Sequence, residues 1–250
     1  MKTESFVSIL ILLCIIASGC LSIQTLESDK NKIMTSFTEH QSSIKDYSGT
    51  VSLTYDNENH ISEYYKIQVR YPDKYKVEYL ESSGRNPGTI LIANAGTFVE
   101  FDPVHKATTT AEINPNGNEA TSRDYQGLLN RLIPLGNTSF AGVDYLEKHP
   151  AYLIEIRPKR PGDDFNLKFS EFRFSRVKAW VDAGSWLVKR IELYDSDGTR
   201  RIVSADYQDL SINSGISDTV FGTERYMQYS NFTAPIHPPI VKYPGVEYPQ

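Results

Sequence analysis

The side chains that could carry out chemistry do not form a recognisable catalytic or metal-binding pattern. Five histidines are scattered along the chain, and no HExxH-type spacing places two of them on one helix face. They are His40, His60, His105, His149 and His237. No nucleophile elbow or phosphate-binding glycine loop is present either. The sequence therefore predicts no catalytic residue, no metal site and no cofactor, and it favours a binding role over an enzymatic one.

Two acidic segments contain carboxylates that could serve a functional site, but both are interpreted as surface turns or loops. Asp195 to Gly198, with the sequence DSDG, shares only its first residues with a calcium loop and lacks the glutamate at the twelfth position. Because aspartate and glycine are preferred turn residues, we interpret this segment as a hairpin turn. Asp163 and Asp164 follow the charged stretch RPKRPG, which predicts a solvated loop.

Composition limits the classes of protein further. The net charge of -5 gives no broad positive surface for nucleic acid. Both cysteines, Cys14 and Cys20, lie in the first twenty residues, so the rest of the chain has no disulfide framework. The 16 tyrosines and 11 phenylalanines favour strands.

The N-terminus is typical of an export signal. The apolar run from Phe6 to Ala17 has the length of a signal-peptide core and is short for a membrane span of about 20 residues. The sequence ASGC at positions 17–20 resembles the lipobox of exported lipoproteins, in which the cysteine, here Cys20, is lipidated. The alternative is an uncleaved anchor that continues through Ile23. Both hypotheses place the remaining chain outside the cytoplasmic membrane and tethered to its outer face.

Two glycosylation sequons fit an exported chain. They begin at Asn137 and Asn231, and they matter only if the host glycosylates its surface proteins. The chain divides into a signal peptide (1–19), a tether (20–27), one folded domain (28–228) and a C-terminal tail (229–250). Five prolines among the last residues of the chain predict that this tail is extended. No second hydrophobic core is evident.

A stretch of alternating residues from Glu63 to Pro103 is the centre of the predicted domain. Its apolar and aromatic residues recur every second position, which a pleated strand produces and a helix does not. The residues that share the apolar face are Tyr65, Ile67, Val69, Tyr71, Tyr75, Val77 and Tyr79. Breaks at Pro72, at the glycine and proline residues after Ser82 and at Gly96 divide the stretch into four strands.

Two amphipathic helices accompany the predicted strands. The first covers roughly Ser28 to Lys45. The second covers Ser122 to Pro134, with a cap at Thr121 or Ser122 and a stripe that includes Leu128 and Leu132. The second helix is either a lid over the sheet or a plain crossover helix. A large antiparallel sheet twists and usually curls or closes. We therefore predict a mainly β, α+β fold: a curved, half-open β-barrel of about 10–11 strands with helices on its concave face.

The order of these elements resembles the LolA/LolB lipoprotein carriers and the related LppX-type lipoproteins. The resemblance covers Asp29 to Phe221 and rests on several short motifs in sequence order. They are Tyr47-Ser48-Gly49, Val69-Arg70-Tyr71-Pro72, the segment Ile90 to Pro103, the hairpin Val177 to Arg190 and the turn Asp195 to Gly198.

The resemblance implies a half-closed barrel whose hollow holds acyl chains beneath the helices. In the carriers, an arginine directly before the strand-ending proline helps to close the lid. Tyr71 occupies that position here, and Arg70, one residue earlier, is predicted to point to the opposite face because neighbouring strand residues alternate.

The sequence thus favours a membrane-anchored lipoprotein that binds a lipid, or the acyl chains of a lipoprotein, as a carrier or presenter. The predicted cavity is lined by the seven residues of the apolar face together with Leu128 and Leu132. We expect a monomer that is attached to the membrane through Cys20 and does not bind nucleic acid. The alternative is a surface sensor of envelope stress, with a filled core and a protein partner.

Overall fold

The computed structural model describes residues 29–56, 61–82, 84–94, 96–112, 123–160, 162–165 and 173–233. The predicted signal peptide, Cys20, the tether and most of the proline-rich tail lie outside these residues. No helix in the described ranges is long and apolar enough to span a membrane.

The described chain contains twelve strands, three α-helices and a short 3-10 helix. Helix α1 covers 29–42. The first six strands are β1 (Asp46–Tyr55), β2 (Ser62–Arg70), β3 (Lys74–Ser82), β4 (Ile90–Asn94), β5 (Thr97–Asp102) and β6 (Ala107–Glu112). Next come α2 (Tyr125–Leu132), β7 (Gly136–Leu146), β8 (His149–Pro158), β9 (Arg176–Asp182), β10 (Val188–Tyr194) and β11 (Arg201–Ile212). The chain continues with the 3-10 helix (Asp218–Phe221), α3 (Glu224–Met227) and β12 (Ser230–Thr233).

All twelve strands belong to one curved sheet, in the order β12-β6-β5-β4-β3-β2-β1-β11-β10-β9-β8-β7. Every neighbouring pair is antiparallel except β12 and β6, which are parallel. The sheet is not closed, because β12 and β7 form its two edges within the described chain. The predicted mainly β, half-open architecture is confirmed. Strand β12 raises the number of strands above the predicted count, and it lies in the segment predicted as tail.

The stretch predicted as the centre of the domain forms β2 to β5, four consecutive antiparallel strands. On β2 and β3, Ile67 lies opposite Val77, and Val69 lies opposite Tyr75. These pairs place the apolar phases of the two strands on one face. The alternation of the sequence therefore determined both the strand type and the register.

The concave face of the sheet carries the main hydrophobic core, and α1 and α2 cover it. Phe37 of α1, and Leu129 and Leu132 of α2, are fully buried against residues of the central strands. Because each helix is apolar along only one stripe, both must bury that stripe on the sheet.

A second, smaller hydrophobic cluster lies on the opposite face of the sheet. It contains Ile92, Val99, Phe221 and Tyr226, so the 3-10 helix and α3 cover the outer side of β4 and β5. The prediction of a single core is wrong here. Strand β4 is apolar in both phases, and both of its faces are buried. A run of that kind indicates a strand covered on both sides.

Helix α2 is shorter than predicted at its N-terminus. It begins at Tyr125, and its N-cap is Asp124, whose side chain accepts a hydrogen bond from the backbone N–H of Gly127. The predicted caps, Thr121 and Ser122, lie outside the described residues. The predicted end is confirmed, since the helix stops at Leu132, two residues before Pro134.

Candidate functional site

The structure brings the predicted cavity residues together beneath α2. The six from β2 and β3 are at most 2% exposed and belong to the main core, together with Leu128 and Leu132 of α2. The six are Tyr65, Ile67, Val69, Tyr75, Val77 and Tyr79. Tyr71 follows β2 and is partly buried against the same core. These side chains thus form an apolar floor on the sheet, and α2 lies above it.

A buried carboxylate joins the first turn of α2 to the sheet. Asp124 Oδ1 accepts hydrogen bonds from the hydroxyl of Tyr47 at 2.6 Å and from the N–H of Gly127 at 2.6 Å. The hydroxyl of Tyr71 donates to Asp124 Oδ2 at 3.2 Å. Burial raises the pKa of Asp124, and the hydrogen bonds from Tyr47 and Gly127 partly oppose that effect. Asp124 therefore caps the helix and binds two tyrosines at once.

The residue before this cap forms a second polar attachment. Arg123 Nε lies 2.9 Å from Glu63 Oε2, and the two side chains are only 3% and 2% exposed. Arg123 also donates to the hydroxyl of Tyr79 at 3.2 Å, and its carbonyl accepts from the hydroxyl of Tyr65 at 3.1 Å. A buried charge is tolerated only when it is paired and hydrogen-bonded, and Arg123 meets both conditions.

Gln126 extends this polar cluster to α1 and to β11. Its backbone N–H donates to the hydroxyl of Tyr207 at 3.0 Å, and its side chain donates to that of Gln41. The first turn of α2 is therefore bound to β1, β2, β3 and β11, which are neighbours in the sheet, and to α1. The last turn of α2 contributes Leu128, Leu129 and Leu132, which make apolar contacts.

The tyrosine hydroxyls of the cluster hold their partners in place and do not act as bases. Burial raises the pKa of Tyr47, Tyr71 and Tyr207 well above the ordinary value. These hydroxyls stay protonated near neutral pH and can donate to Asp124 or accept from a backbone amide. In the described part of the chain, no group of three His, Cys, Asp or Glu side chains is placed to hold a metal ion.

Sequence reasoning missed the polar half of this site. The predicted helix includes Arg123 and Asp124 in its first turn, whereas both residues precede the observed helix and are buried. Glu63 carried a usable signal, because it shares the alternating phase of Tyr65 and Ile67 and so points to the apolar face. A charged residue in an apolar phase implies a buried partner. Nothing in the sequence identified that partner as Arg123, which is 60 residues away.

The remaining predicted sites are separate from this cluster. Asn137 is an exposed residue of β7, and its side-chain amide donates to the carbonyl of Lys159 at 3.5 Å. The backbone of Asn231 belongs to β12. Cys20 lies outside the described residues. Glycosylation at Asn137 and Asn231 and lipidation at Cys20 therefore remain predictions.

Comparison with known proteins finds similarity in structure and not in sequence. No protein-family model matches the chain, and no curated protein matches it. Among solved structures, a LolA superfamily protein from Nitrosomonas europaea is 12% identical, with a TM-score of 0.39; the match covers 76% of this chain and 98% of that one. The Mycobacterium tuberculosis lipoprotein LppX is 13% identical, with a TM-score of 0.39; the match covers 73% of this chain and 94% of that one.

The complex of MucA and MucB from Pseudomonas aeruginosa is a third similar structure. The identity is 10% and the TM-score 0.43, and the match covers 77% of this chain and 60% of that one. The resemblance to LolA-like and LppX-like proteins that the motifs predicted is thus found again among solved structures. It is a likeness of fold, and no residue role is transferred with it.

Proposed function

We propose that this protein is a membrane-anchored, extracytoplasmic lipid-binding protein in which α2 is a lid over an acyl-chain site. The observation that carries the proposal is the way α2 is attached. Its first turn is fixed to the sheet by Arg123 and Asp124, whereas Leu128, Leu129 and Leu132, further along the helix, pack in the apolar core over the floor.

This division of contacts allows an acyl chain to replace the helix above the floor. If Leu128 and Leu132 move away and an acyl chain takes their place, the floor remains covered by apolar groups. Each methylene that is buried contributes about 0.8 kcal/mol. A chain of moderate length can therefore compensate for the lost leucine contacts, while the polar attachments at the first turn keep the helix from leaving the sheet.

The membrane anchor and the location complete the proposal. The lipobox-like sequence that ends at Cys20 would place a lipidated N-terminus about nine residues before α1. Because a single acyl chain gives only weak membrane binding, stable attachment requires two chains on this cysteine. A short tether of that kind would hold the domain close to the membrane, which supplies the ligand. The proposal involves no catalysis.

Lipid binding is tested first on the native protein. Purified full-length protein is extracted with organic solvent, and the extract is analysed by mass spectrometry. Binding of a fluorescent fatty acid is then measured by titration. We expect a co-purified lipid and saturable binding of the probe. Absence of both would refute the proposal.

A conservative substitution on the floor locates the site. Val77 is fully buried, and Val77→Thr preserves its shape while adding a hydroxyl that an acyl chain cannot satisfy. A buried hydroxyl without a partner costs about 1–3 kcal/mol, so Val77→Thr should be less stable than the wild type. A several-fold loss of affinity for the fatty acid beyond that of the control locates the acyl chain at this position. Val104 is 63% exposed, and Val104→Thr is the matched control. Thermal unfolding of both variants separates loss of binding from loss of folding.

A protein-binding role is the second candidate, and the edge strand β7 is the observation that favours it. Within the described chain β7 pairs on one side only, and it carries Val143 and Tyr145, which are 56% and 69% exposed. An exposed apolar edge strand is a site where another chain can add a strand. A sensor would retain a protein partner in a membrane pull-down without lipid, and Tyr145→Lys would abolish that capture.

A further inference from the structure

A groove of about 800 Å³ lies at the end of the sheet where β1 begins and β2 ends. One part of its wall is apolar and is formed by Ile44, Pro72 and Ile216. Another part carries the cations Lys45 and Arg70. The groove therefore presents apolar surface and positive charge side by side, which is the combination that an amphiphile with an anionic headgroup requires.

The positive charge in this groove is only partly neutralised. Arg70 Nη1 lies 3.0 Å from Asp218 Oδ1, and Lys74 pairs with the same oxygen. One carboxylate is thus shared by two cations. Lys45 is exposed and makes no ion pair with a residue of the described chain.

The other carboxylate in the groove wall, Asp46, is already engaged by the backbone. It accepts hydrogen bonds from the N–H groups of Ser214 at 2.9 Å and of Gly215 at 3.2 Å. Its charge is therefore directed at the turn that follows β11. The groove wall itself holds two cations and two carboxylates. Lys74, which pairs with Asp218 beside the wall, brings the positive charges at the groove to three, whereas the chain as a whole has a net charge of -5.

Tyr71 links the groove to the lid. It lines the groove, and its hydroxyl donates to Asp124 Oδ2 at the start of α2. Its ring lies 6.4 Å from that of Tyr47, which binds the same carboxylate. A ligand that enters the groove and displaces Tyr71 would remove one of the attachments of α2, so this residue stands between the groove and the apolar floor.

From this arrangement we infer that the groove binds the anionic phosphate headgroup of a membrane phospholipid, while the acyl chain passes Tyr71 and reaches the floor beneath α2. The inference rests on the proposed lipid-binding function and specifies its ligand. Arg70 and Lys45 contact the headgroup phosphate, and Ile44, Pro72 and Ile216 contact the first carbons of the chain. Asp218 competes with the phosphate for Arg70.

Calorimetric titration of the full chain with two single-chain lipids tests the assignment. The probes are lysophosphatidylglycerol and lysophosphatidylcholine with the same acyl chain, below their micelle concentrations. The first carries a net negative charge, and the second is neutral overall. We expect tighter binding of lysophosphatidylglycerol by about tenfold at low salt, and a smaller difference at high ionic strength because salt screens exposed charges.

Substitutions that remove either positive or negative side chains from the groove test whether its charge selects the lipid. Lys45→Gln combined with Arg70→Gln should weaken the binding of lysophosphatidylglycerol more than that of lysophosphatidylcholine, and so remove the preference for the anionic lipid. Asp218→Asn should increase the preference, because it removes the competing carboxylate. Lys30→Gln combined with Lys32→Gln removes the same two positive charges near the start of α1, so it is the matched control and should have no effect.

The outcomes test the headgroup site and the proposed lipid-binding function separately. Equal binding of both lipids that is insensitive to these variants overturns the headgroup site and leaves lipid binding intact. Failure of both lipids to bind overturns both. Inorganic phosphate alone should not compete at the concentrations that saturate the lipid. If it binds as tightly as lysophosphatidylglycerol, the groove is a phosphate site and the assignment to a lipid headgroup is wrong.

Discussion

The hydroxyl of Tyr71 donates to Oδ2 of Asp124 over 3.2 Å and so connects the end of β2 to the residue that caps α2. A neutral hydroxyl here reaches a carboxylate in a buried setting, and burial keeps that hydroxyl protonated. The start of α2 is therefore held on the sheet by a cluster of tyrosines around one aspartate and by a separate buried ion pair.

Removing the Tyr71 hydroxyl should loosen the first turn of α2. Tyr71→Phe deletes one hydrogen bond to a charged group, which is worth about 1.5–3 kcal/mol, and leaves the other partners of Asp124 in place. We expect faster hydrogen exchange of the α2 amides and a lower free energy of unfolding. Tyr64 is an exposed residue of β2, so Tyr64→Phe is the control and should change neither quantity. Unchanged exchange in Tyr71→Phe would show that this bond does not hold the helix.

The raised pKa of Asp124 predicts the sign of a pH effect on stability. The folded state binds the Asp124 proton more tightly than the unfolded state does. The contribution of this group to the free energy of unfolding is therefore fully present below the ordinary aspartate pKa and is lost as pH rises through the raised pKa. Relative to Asp124→Asn, which cannot titrate, the wild type should gain stability as pH falls through that interval.

The comparison with Asp124→Asn is necessary because other carboxylates act in the opposite direction. Hydrogen bonds lower the pKa of Asp102, Asp182 and Asp218, and these groups lose stabilising interactions in acid. They are present in both proteins and cancel in the difference. Urea denaturation across a series of pH values measures that difference, and a flat difference or one of opposite slope would contradict the prediction.

Replacing one member of the buried pair Arg123 and Glu63 should lower the free energy of unfolding much more than replacing both members together. Replacing either residue alone by methionine leaves a buried charge without its partner, which costs about 3–5 kcal/mol. The double variant should be destabilised much less than the sum of the two single variants. A double-mutant cycle in urea measures this coupling. The pair Arg157–Glu155, in which the arginine side chain is 52% exposed, is the control and should give under about 1 kcal/mol.

The fold was largely predictable from sequence because its dominant signal is local. The alternation from Tyr65 to Tyr79 specifies strands, their apolar face and, through the short turns, their antiparallel pairing. The apolar stripe that contains Leu128 and Leu132 specifies a helix that packs on that face. These features depend on residues close in sequence, so their pattern is readable without a structure.

The polar site was not predictable, because its contacts are long-range and involve common residue types. Asp124 meets Tyr47, which is 77 positions away, and no periodicity relates two such residues. Strand β12 was missed for a similar reason, since Ser230–Thr233 pairs with β6 in parallel across a large sequence separation. The second hydrophobic cluster was indicated only by the uninterrupted apolar run of β4.

Gly127 provides a test in which local helix propensity and the tertiary contact oppose each other. A Cβ at this position would lie 2.1 Å from Asp124 Oδ2, so Gly127→Ala forces the carboxylate out of its cap position. Alanine gains about 1 kcal/mol over glycine inside a helix. The displaced cap leaves the Tyr47 hydroxyl and a backbone N–H unsatisfied, at about 1–3 kcal/mol each.

The tertiary loss therefore exceeds the helical gain, and we expect Gly127→Ala to be destabilised by about 2 kcal/mol in urea denaturation, with faster exchange of the α2 amides. Gly84→Ala is the matched control, because a Cβ there meets no atom within 4 Å. That variant should be neutral or slightly stabilised, since alanine lowers the entropy of the unfolded chain. A Gly127→Ala protein as stable as the wild type would mean that Asp124 is not needed to hold α2 on the sheet, and the role of the helix as an attached lid would have to be abandoned.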